Sequence, residues 1–227
     1  MIITFDGPSA SGKSTLAKSS AKKLGFYYLN SGMLYRGLAY CLLNRLKVKQ
    51  EALDTFQEFL PCLIRLRYFY DIKTGCMTIF LDDEDITLYL KVAAIDKAAS
   101  ALGNNKQARI AIMNFEYAIV KQYDNFSVDG RDCGSLVFPQ AEFKFYVTAD
   151  LLVRAKRWQL DQEKQGNTVA LEQAAIILEQ RDKNDSEREY APLIIPDGAI
   201  IIDNSNLTLE QTEKLVCEYI LNKEEEA

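Results

Sequence analysis

Residues Gly7-Pro8-Ser9-Ala10-Ser11-Gly12-Lys13-Ser14 carry the strongest chemical signal in this chain of 227 residues. A Gly-x-x-x-x-Gly-Lys-Ser turn presents several backbone N–H groups together at the start of a helix, which suits the oxygens of a polyphosphate. Lys13 adds a mobile positive charge, and the Ser14 hydroxyl is placed to face a hard divalent cation. The motif needs a strand before it and a helix after it. Ile2 to Phe5 read as a buried strand, and Thr15 to Leu24 as a helix.

A second group of residues is scattered along the chain. Asp129 closes the short apolar stretch Phe126-Ser127-Val128, where a strand end can present a carboxylate to Mg2+, directly or through water; the alternative is a turn or capping aspartate. Arg36, Arg109, Arg131, Arg181 and Arg188 fall on different elements. Such a set can grip a monophosphate through paired guanidinium donors, although each alone also suits an ordinary surface ion pair. Arg154 and Arg157 lie one helical turn apart and can face the same phosphate-rich opening, with Lys156 turned to solvent. The chain has no histidine. Ser9 and Ser11 therefore read as phosphate-loop residues and not as nucleophiles of a Ser-His-Asp arrangement. Passing a phosphoryl group in line between two bound phosphates needs no covalent nucleophile, only charge at the right places, and Lys13, Arg157 and Mg2+ can supply it.

The elements that must position these groups follow an alternating order. Strand, phosphate loop, helix, strand at Phe26 to Leu29, loop at Asn30-Ser31-Gly32 and helix over Leu34 to Leu43 predict a parallel α/β sheet covered by helices. From residue 44 to residue 90 the pattern loosens. A helical face at Leu53, Phe56, Phe59 and Leu60 ends near Pro61, and strand-prone runs at Cys62 to Tyr70 and Cys76 to Leu81 flank a turn at residues 71–75. This stretch reads as an insertion into a core of residues 1–43 and 91–227. Helices follow over Val92 to Leu102, ended or bent by Gly103-Asn104-Asn105, and over Gln107 to Gln122. A strand is expected at Phe143 to Val147, then a helix from about Asp150, a polar closing segment around Gly166 within residues 158–184, a helix over Val169 to Leu178 and a dense polar stretch from Arg181 to Arg188. The last strand and helix are expected at Ala199 to Ile202 and Thr208 to Leu221, with a frayed tail at Glu224 to Ala227.

With 48% hydrophobic and 26% charged residues, the composition is that of a globular protein. A net charge of -5 argues against general attraction to nucleic acid or anionic membrane, while a local arginine cluster can still bind a small anion. The five cysteines are dispersed and form no C-x-x-C pair, so they are expected as reduced thiols in a cytoplasmic protein without zinc. No signal peptide and no apolar run of about 20 residues is evident.

Taken together, the phosphate loop, Leu29-Asn30-Ser31-Gly32 followed by Tyr35-Arg36, Asp129-Gly130-Arg131-Asp132, Phe138-Pro139, the Arg181 to Arg188 segment, Ala191-Pro192-Leu193 and Ile202-Asp203-Asn204-Ser205 resemble the cytidylate kinases of the nucleoside-monophosphate kinase family. The matching islands span nearly the whole chain. The resemblance implies a P-loop three-layer α/β fold with a central parallel sheet and an inserted monophosphate-binding region, acting as a monomer that transfers phosphate from ATP, with Mg2+, to CMP or dCMP. It implies that Gly7 to Thr15 and Arg157 hold the donor, Ser14 and Asp129 the metal, and that Lys13, Arg131 and Arg157 act on the transferring group. Ser31, Arg181 and Asp132 are implied to position the base and Asp185 the sugar. Arg36, Arg109, Arg131 and Arg188 are implied for the acceptor phosphate, with Tyr35 beside them. Related readings are a kinase preferring UMP and a non-catalytic ATP-binding regulatory module.

Overall fold

A computed structural model describes residues 1–225, with side chains through Leu221; Glu226 and Ala227 of the expected frayed tail lie outside the described residues, as do the side chains of Glu224 and Glu225. In chain order the elements are β1 (Ile2–Asp6), α1 (Lys13–Leu24), β2 (Tyr27–Asn30), α2 (Ser31–Tyr40), α3 (Leu60–Leu63), β3 (Leu66–Asp71), β4 (Cys76–Leu81), β5 (Glu84–Asp85), α4 (Ala93–Asn104), α5 (Lys106–Val120), β6 (Phe126–Asp129), β7 (Phe143–Thr148), α6 (Leu151–Lys164), α7 (Leu171–Glu187), β8 (Ile200–Asp203) and α8 (Leu209–Glu225). They divide into two compact units, one formed by residues 1–24 with the chain from Ser127 onward, the other by Gly25–Phe126.

The first unit is built on a parallel sheet in which β6, β1, β7 and β8 lie side by side. Ile3 to Asp6 pair with Phe143 to Tyr146, and Phe145 to Thr148 pair with Ile200 to Asp203. β1 is buried along almost its whole length, the pattern of a parallel strand covered on both faces. Phe5 and Phe145 stack across the β1–β7 pair with ring centroids 5.1 Å apart. Ala155 on α6 and Ala174 and Leu178 on α7 form a small buried core, with Trp158, Leu151 and Leu171 packed against it. The polar stretch Arg181 to Arg188 is not a separate segment, because α7 continues through Glu187. Arg181, Lys183 and Glu187 are good helix formers and polar residues can continue an exposed helix face, so only a search for apolar periodicity ends the helix at Leu178.

The second unit joins β2 and helices α2, α4 and α5 to a hairpin. Leu66 to Asp71 run antiparallel to Leu81 to Cys76, around a turn in which the Asp71 carboxylate accepts from the Lys73 and Thr74 N–H groups. One face of β3 buries Leu66, Tyr68 and Tyr70. Tyr27 stacks on Tyr123 and meets Tyr68 and Tyr70 edge-on. Tyr68 Oη donates to the Tyr28 carbonyl and accepts from the Asn30 N–H, both at 3.0 Å. Asn105 is used twice over: Oδ1 accepts from the Gln107 and Ala108 N–H groups to cap α5, while Nδ2 donates to the Leu53 and Phe56 carbonyls.

The break expected at Gly103-Asn104-Asn105 falls at Asn105, between α4 and α5. Two expectations are corrected in this unit. The helix predicted to end at Pro61 begins there instead, because α3 carries the proline in its first turn, where its missing N–H costs nothing. Cys41 and Cys62, expected as thiols, form a disulfide with a Cα–Cα distance of 5.8 Å. Their sequence separation of 21 residues gave no hint that the π-helical turn after α2 is folded against α3. Cys76, Cys133 and Cys217 take no part in a disulfide. No helix among the described residues is long and apolar enough to cross a membrane.

Candidate active site

The phosphate loop leaves β1 along a backbone path that few residues can follow. Gly7 sits at φ +145°, and a Cβ built on it would lie 2.0 Å from the Val147 carbonyl oxygen, so no side chain fits. Ala10 and Gly12 take left-handed conformations at φ 58° and 89°. The loop then enters α1, with the Leu16 N–H donating to the Gly12 carbonyl at 3.0 Å. Thr15 is exposed on the first turn of that helix. The expected phosphate loop is thus present from Gly7 to Ser14, and the Ser11 side chain within it is fully buried with no hydrogen-bond partner for its Oγ.

Lys13 is buried, and its Nζ donates to the Pro8 carbonyl at 2.9 Å. Burial pushes the ammonium pKa down to about 7, and the Arg131 charge acts in the same direction. Phosphate oxygens brought to Nζ would reverse that shift, since an opposite charge at close range favours the protonated amine. Ser14 Oγ donates to Asp129 Oδ2 at 2.5 Å, and Asp129 is buried at the end of β6. A hydroxyl and a carboxylate in contact are hard oxygen donors. Among the described residues no group of three or more Asp, Glu, Cys or His side chains could enclose a cation. The pair therefore suits an ion that takes its other ligands from water and substrate phosphates, as Mg2+ does.

Arg131 follows β6 directly and ties the loop to α7. Its Nη2 donates to Ser9 Oγ at 3.1 Å, its Nε to Asp185 Oδ2 at 2.8 Å and its Nη1 to the Gly130 carbonyl at 3.2 Å. Arg188 reaches Asp185 Oδ1 at 3.5 Å and donates from Nε to the Ala191 carbonyl at 2.5 Å. Burial works to raise the Asp185 pKa, but the charges of Arg131 and Arg188 outweigh it and hold the carboxyl below its usual range; Arg181, one turn earlier on α7, adds to that pull. Four of the expected acceptor residues, Arg131, Arg181, Asp185 and Arg188, thus belong to one electrostatic network.

Asp132 is buried where the chain enters the π-helical turn Cys133–Val137, and its carbonyl accepts from the Leu136 and Val137 N–H groups. That turn is held by Asp6, whose carboxylate accepts from the Cys133 and Gly134 N–H groups at 2.8 and 2.6 Å. Gly134 permits the contact, since a Cβ there would come within 2.6 Å of Thr4 Oγ1. Burial raises the Asp6 pKa to about 6, against the lowering effect of those two hydrogen bonds. Because the folded value exceeds the unfolded one of 3.8, the folded protein holds a proton that the unfolded chain has released between these pH values. This contribution to stability is complete below about pH 4 and is lost as pH rises through about 6, an effect on the order of 3 kcal/mol. Urea titrations at intervals from pH 4 to 7 are expected to show wild-type stability falling relative to Asp6→Asn across that window; a constant difference would remove the role given to Asp6.

The two arginines on α6 reach different parts of the loop. Arg157 donates from Nη1 to Asn204 Oδ1 at 2.8 Å and from Nη2 to the Asn204 carbonyl at 3.0 Å; burial lowers its pKa. Asn204 in turn donates from Nδ2 to the Ser11 carbonyl at 2.9 Å. Arg154 donates to the Ser9 carbonyl. Asn204 and Arg154 therefore brace the loop, a role the motif search did not give them. The available signal was the position of Asn204 just past the last parallel strand, at the carboxyl end of the sheet where ligand-facing residues gather.

In the second unit, Ser31 is buried at the start of α2, which Asn30 caps by accepting from the Met33 N–H. Arg36 clasps Asp96 with two nitrogens, Nε at 2.7 Å and Nη2 at 2.5 Å. Arg109 is buried on α5; its Nη1 donates to the Gly103 carbonyl at 3.0 Å, and its guanidinium carbon lies 5.6 Å from the centroid of the Tyr35 ring. The structure thus brings Tyr35 to Arg109. It also gives Arg36 a carboxylate partner 60 positions away that no local motif announces.

A phosphate loop feeding the first helix of a parallel sheet, with Lys13, Arg131 and Arg157 gathered about it, suits direct phosphoryl transfer, the chemistry of a phosphate-loop kinase. An uncharacterized protein from Eubacterium ventriosum shares the fold, with a TM-score of 0.55 at 13% identity over 98% of both chains. The family model described as cytidylate kinase matches residues 3–225. A cytidylate kinase from Caldicellulosiruptor saccharolyticus is 35% identical over 95% of this chain and 93% of its own length, and one from Thermodesulfovibrio yellowstonii is 36% identical over 95% of each. The chain belongs to the cytidylate kinase family.

Proposed function

We propose that the protein transfers the γ-phosphate of ATP to CMP or dCMP with Mg2+ present. The observation that carries this reading is Arg131, whose one guanidinium joins Ser9 of the phosphate loop to Asp185 in the Arg181–Asp185–Arg188 network. A group so placed is positioned to serve donor and acceptor phosphates together. Backbone N–H groups within the Gly7–Ser14 loop, apart from that of Ser9, take the donor phosphates, and Lys13 and Arg157 offset charge on the transferring group. Ser14 and Asp129 would hold Mg2+, which supplies charge neutralisation on the phosphates when bound.

On the acceptor side, Ser31, Arg181 and Asp132 are assigned to the base and Asp185 to the sugar. Arg36, Arg109, Arg131 and Arg188 are assigned to the phosphate, with Tyr35 steadying Arg109. Residues 44–90, which contain the β3–β4 hairpin, are assigned to acceptor binding within a core of 1–43 and 91–227. Within residues 158–184 the short segment around Gly166, φ 83° and in open space, is assigned to closure, and the rest flanks it as part of the core. A monomer in the cytoplasm, acting on free nucleotides and not on nucleic acid, accords with the acidic charge.

The test is a magnesium-supplemented assay of purified protein with ATP and a panel of CMP, dCMP, UMP and dUMP, with products identified by chromatography. CDP and dCDP are expected to form at least about tenfold faster than UDP, a ratio that one or two base-directed hydrogen bonds can supply. Preferential UDP formation would move the base assignment, and ATP binding with no diphosphate from any acceptor would leave a regulatory module.

A further inference from the structure

Three charged side chains from three elements occupy all the polar groups of one loop residue. The Ser9 N–H donates to Asp182 Oδ1 at 2.8 Å, the Ser9 carbonyl accepts from Arg154 Nη1 at 3.1 Å, and Ser9 Oγ accepts from Arg131 Nη2 at 3.1 Å. Arg154 and Asp182 are also ion-paired to each other, so these two side chains and the Ser9 backbone form a closed ring. Arg154 is itself fixed, with Nε donating to the Ala149 carbonyl at 2.8 Å. Both partners stand on the α6–α7 pair, whose buried Ala155, Ala174 and Leu178 make a firm base. Arg131 already has a place in the proposed reaction; Arg154 and Asp182 have none.

We propose that Arg154 and Asp182 are positioning residues for phosphoryl transfer: they tether the two peptide planes that flank Ser9 and so set the direction in which the phosphate loop presents its remaining N–H donors. This rests on the reading of the loop as the ATP site. A buried ion pair is an expensive way to join two helices, since well-packed apolar side chains hold them at least as firmly. What apolar side chains cannot do is satisfy one residue's N–H and carbonyl together. With the peptide planes before and after Ser9 both tethered, the chain cannot turn freely about the Ser9 Cα, and donors aimed before the substrate arrives stabilise developing charge without reorganising.

The experiment compares wild type with Asp182→Asn, Arg154→Lys and the double variant. ADP affinity is measured by calorimetry and KM for ATP and CMP by steady-state assay, with melting temperature as a control. Asp182→Asn keeps an acceptor for the Ser9 N–H but cancels the pairing with Arg154, and Arg154→Lys keeps the charge but cannot span three acceptors. Each is expected to weaken ADP binding and raise KM for ATP about tenfold, the loss of one charge-assisted hydrogen bond, while KM for CMP stays within about twofold. The double variant is expected to be little worse than either single one, because the two residues act as a unit. A lowered melting temperature with unchanged ADP affinity, or equal rises in KM for both nucleotides, would show a structural cross-link and overturn the proposal. If Asp182→Asn does not fold, Arg154→Lys carries the same comparison. A wild-type protein that binds ADP but makes no CDP would count against the proposed reaction alone, since the ADP titration needs no turnover.

Discussion

Replacing Lys13 with methionine is expected to cut CDP formation by about 10²- to 10³-fold, the scale seen when one preorganised charge donor is removed from a transition state. The same substitution is expected to leave the melting temperature unchanged or to raise it. Lys13 is buried, and its pKa has fallen to about 7, so folding works against its charge. Methionine fills a similar volume and carries no charge to desolvate. Activity and stability thus move in different directions, which separates a catalytic loss from damage to the fold. A rate within about threefold of wild type would remove Lys13 from the chemistry.

Arg131→Ala is expected to be costly on both counts. It takes the donor from Ser9 Oγ, and it takes one of the two guanidinium groups from a largely buried carboxylate at Asp185. Breaking a buried pair by removing one partner costs about 3 kcal/mol or more, so a clear drop in melting temperature is predicted. If Arg131 serves both phosphates, turnover should fall by about 10²-fold or more, with KM rising for ATP and for CMP alike. Arg131→Lys should recover much of the stability but little of the turnover, because a compact ammonium lacks the planar fork that reaches Ser9 Oγ and Asp185 Oδ2 from separate nitrogens. A lysine variant with wild-type kinetics would show that charge alone is needed there.

Much of the nucleotide-facing half could be read from local spacing. The strand before Gly7 and the helix from Lys13 are fixed by a short motif whose context is contiguous, and α1, β6, β7 and β8 fall within a residue or two of their expected places. The hairpin at residues 66–81 was legible for the same reason, since alternation and the Asp71 turn are both local. What escaped was set by contacts remote in sequence. Asp96 facing Arg36, Asn204 under the loop and Asp182 on Ser9 involve carboxylates and amides that look like any surface residue until the fold places them. The Pro61 error has another origin. That residue was read as a breaker, yet a proline in a first turn belongs to a helix as readily as it ends one.

Asn105 leaves one further mark on how the molecule can move. All four of its amide contacts are satisfied at once, two toward the irregular stretch at Leu53 and Phe56 and two toward the first turn of the helix bearing Arg109. Neither side can shift without dragging the other or abandoning buried hydrogen bonds. The stretch least regular in secondary structure is thereby yoked to one of the most sharply placed guanidinium groups, and any tightening of the former is delivered to the latter as a change in pitch.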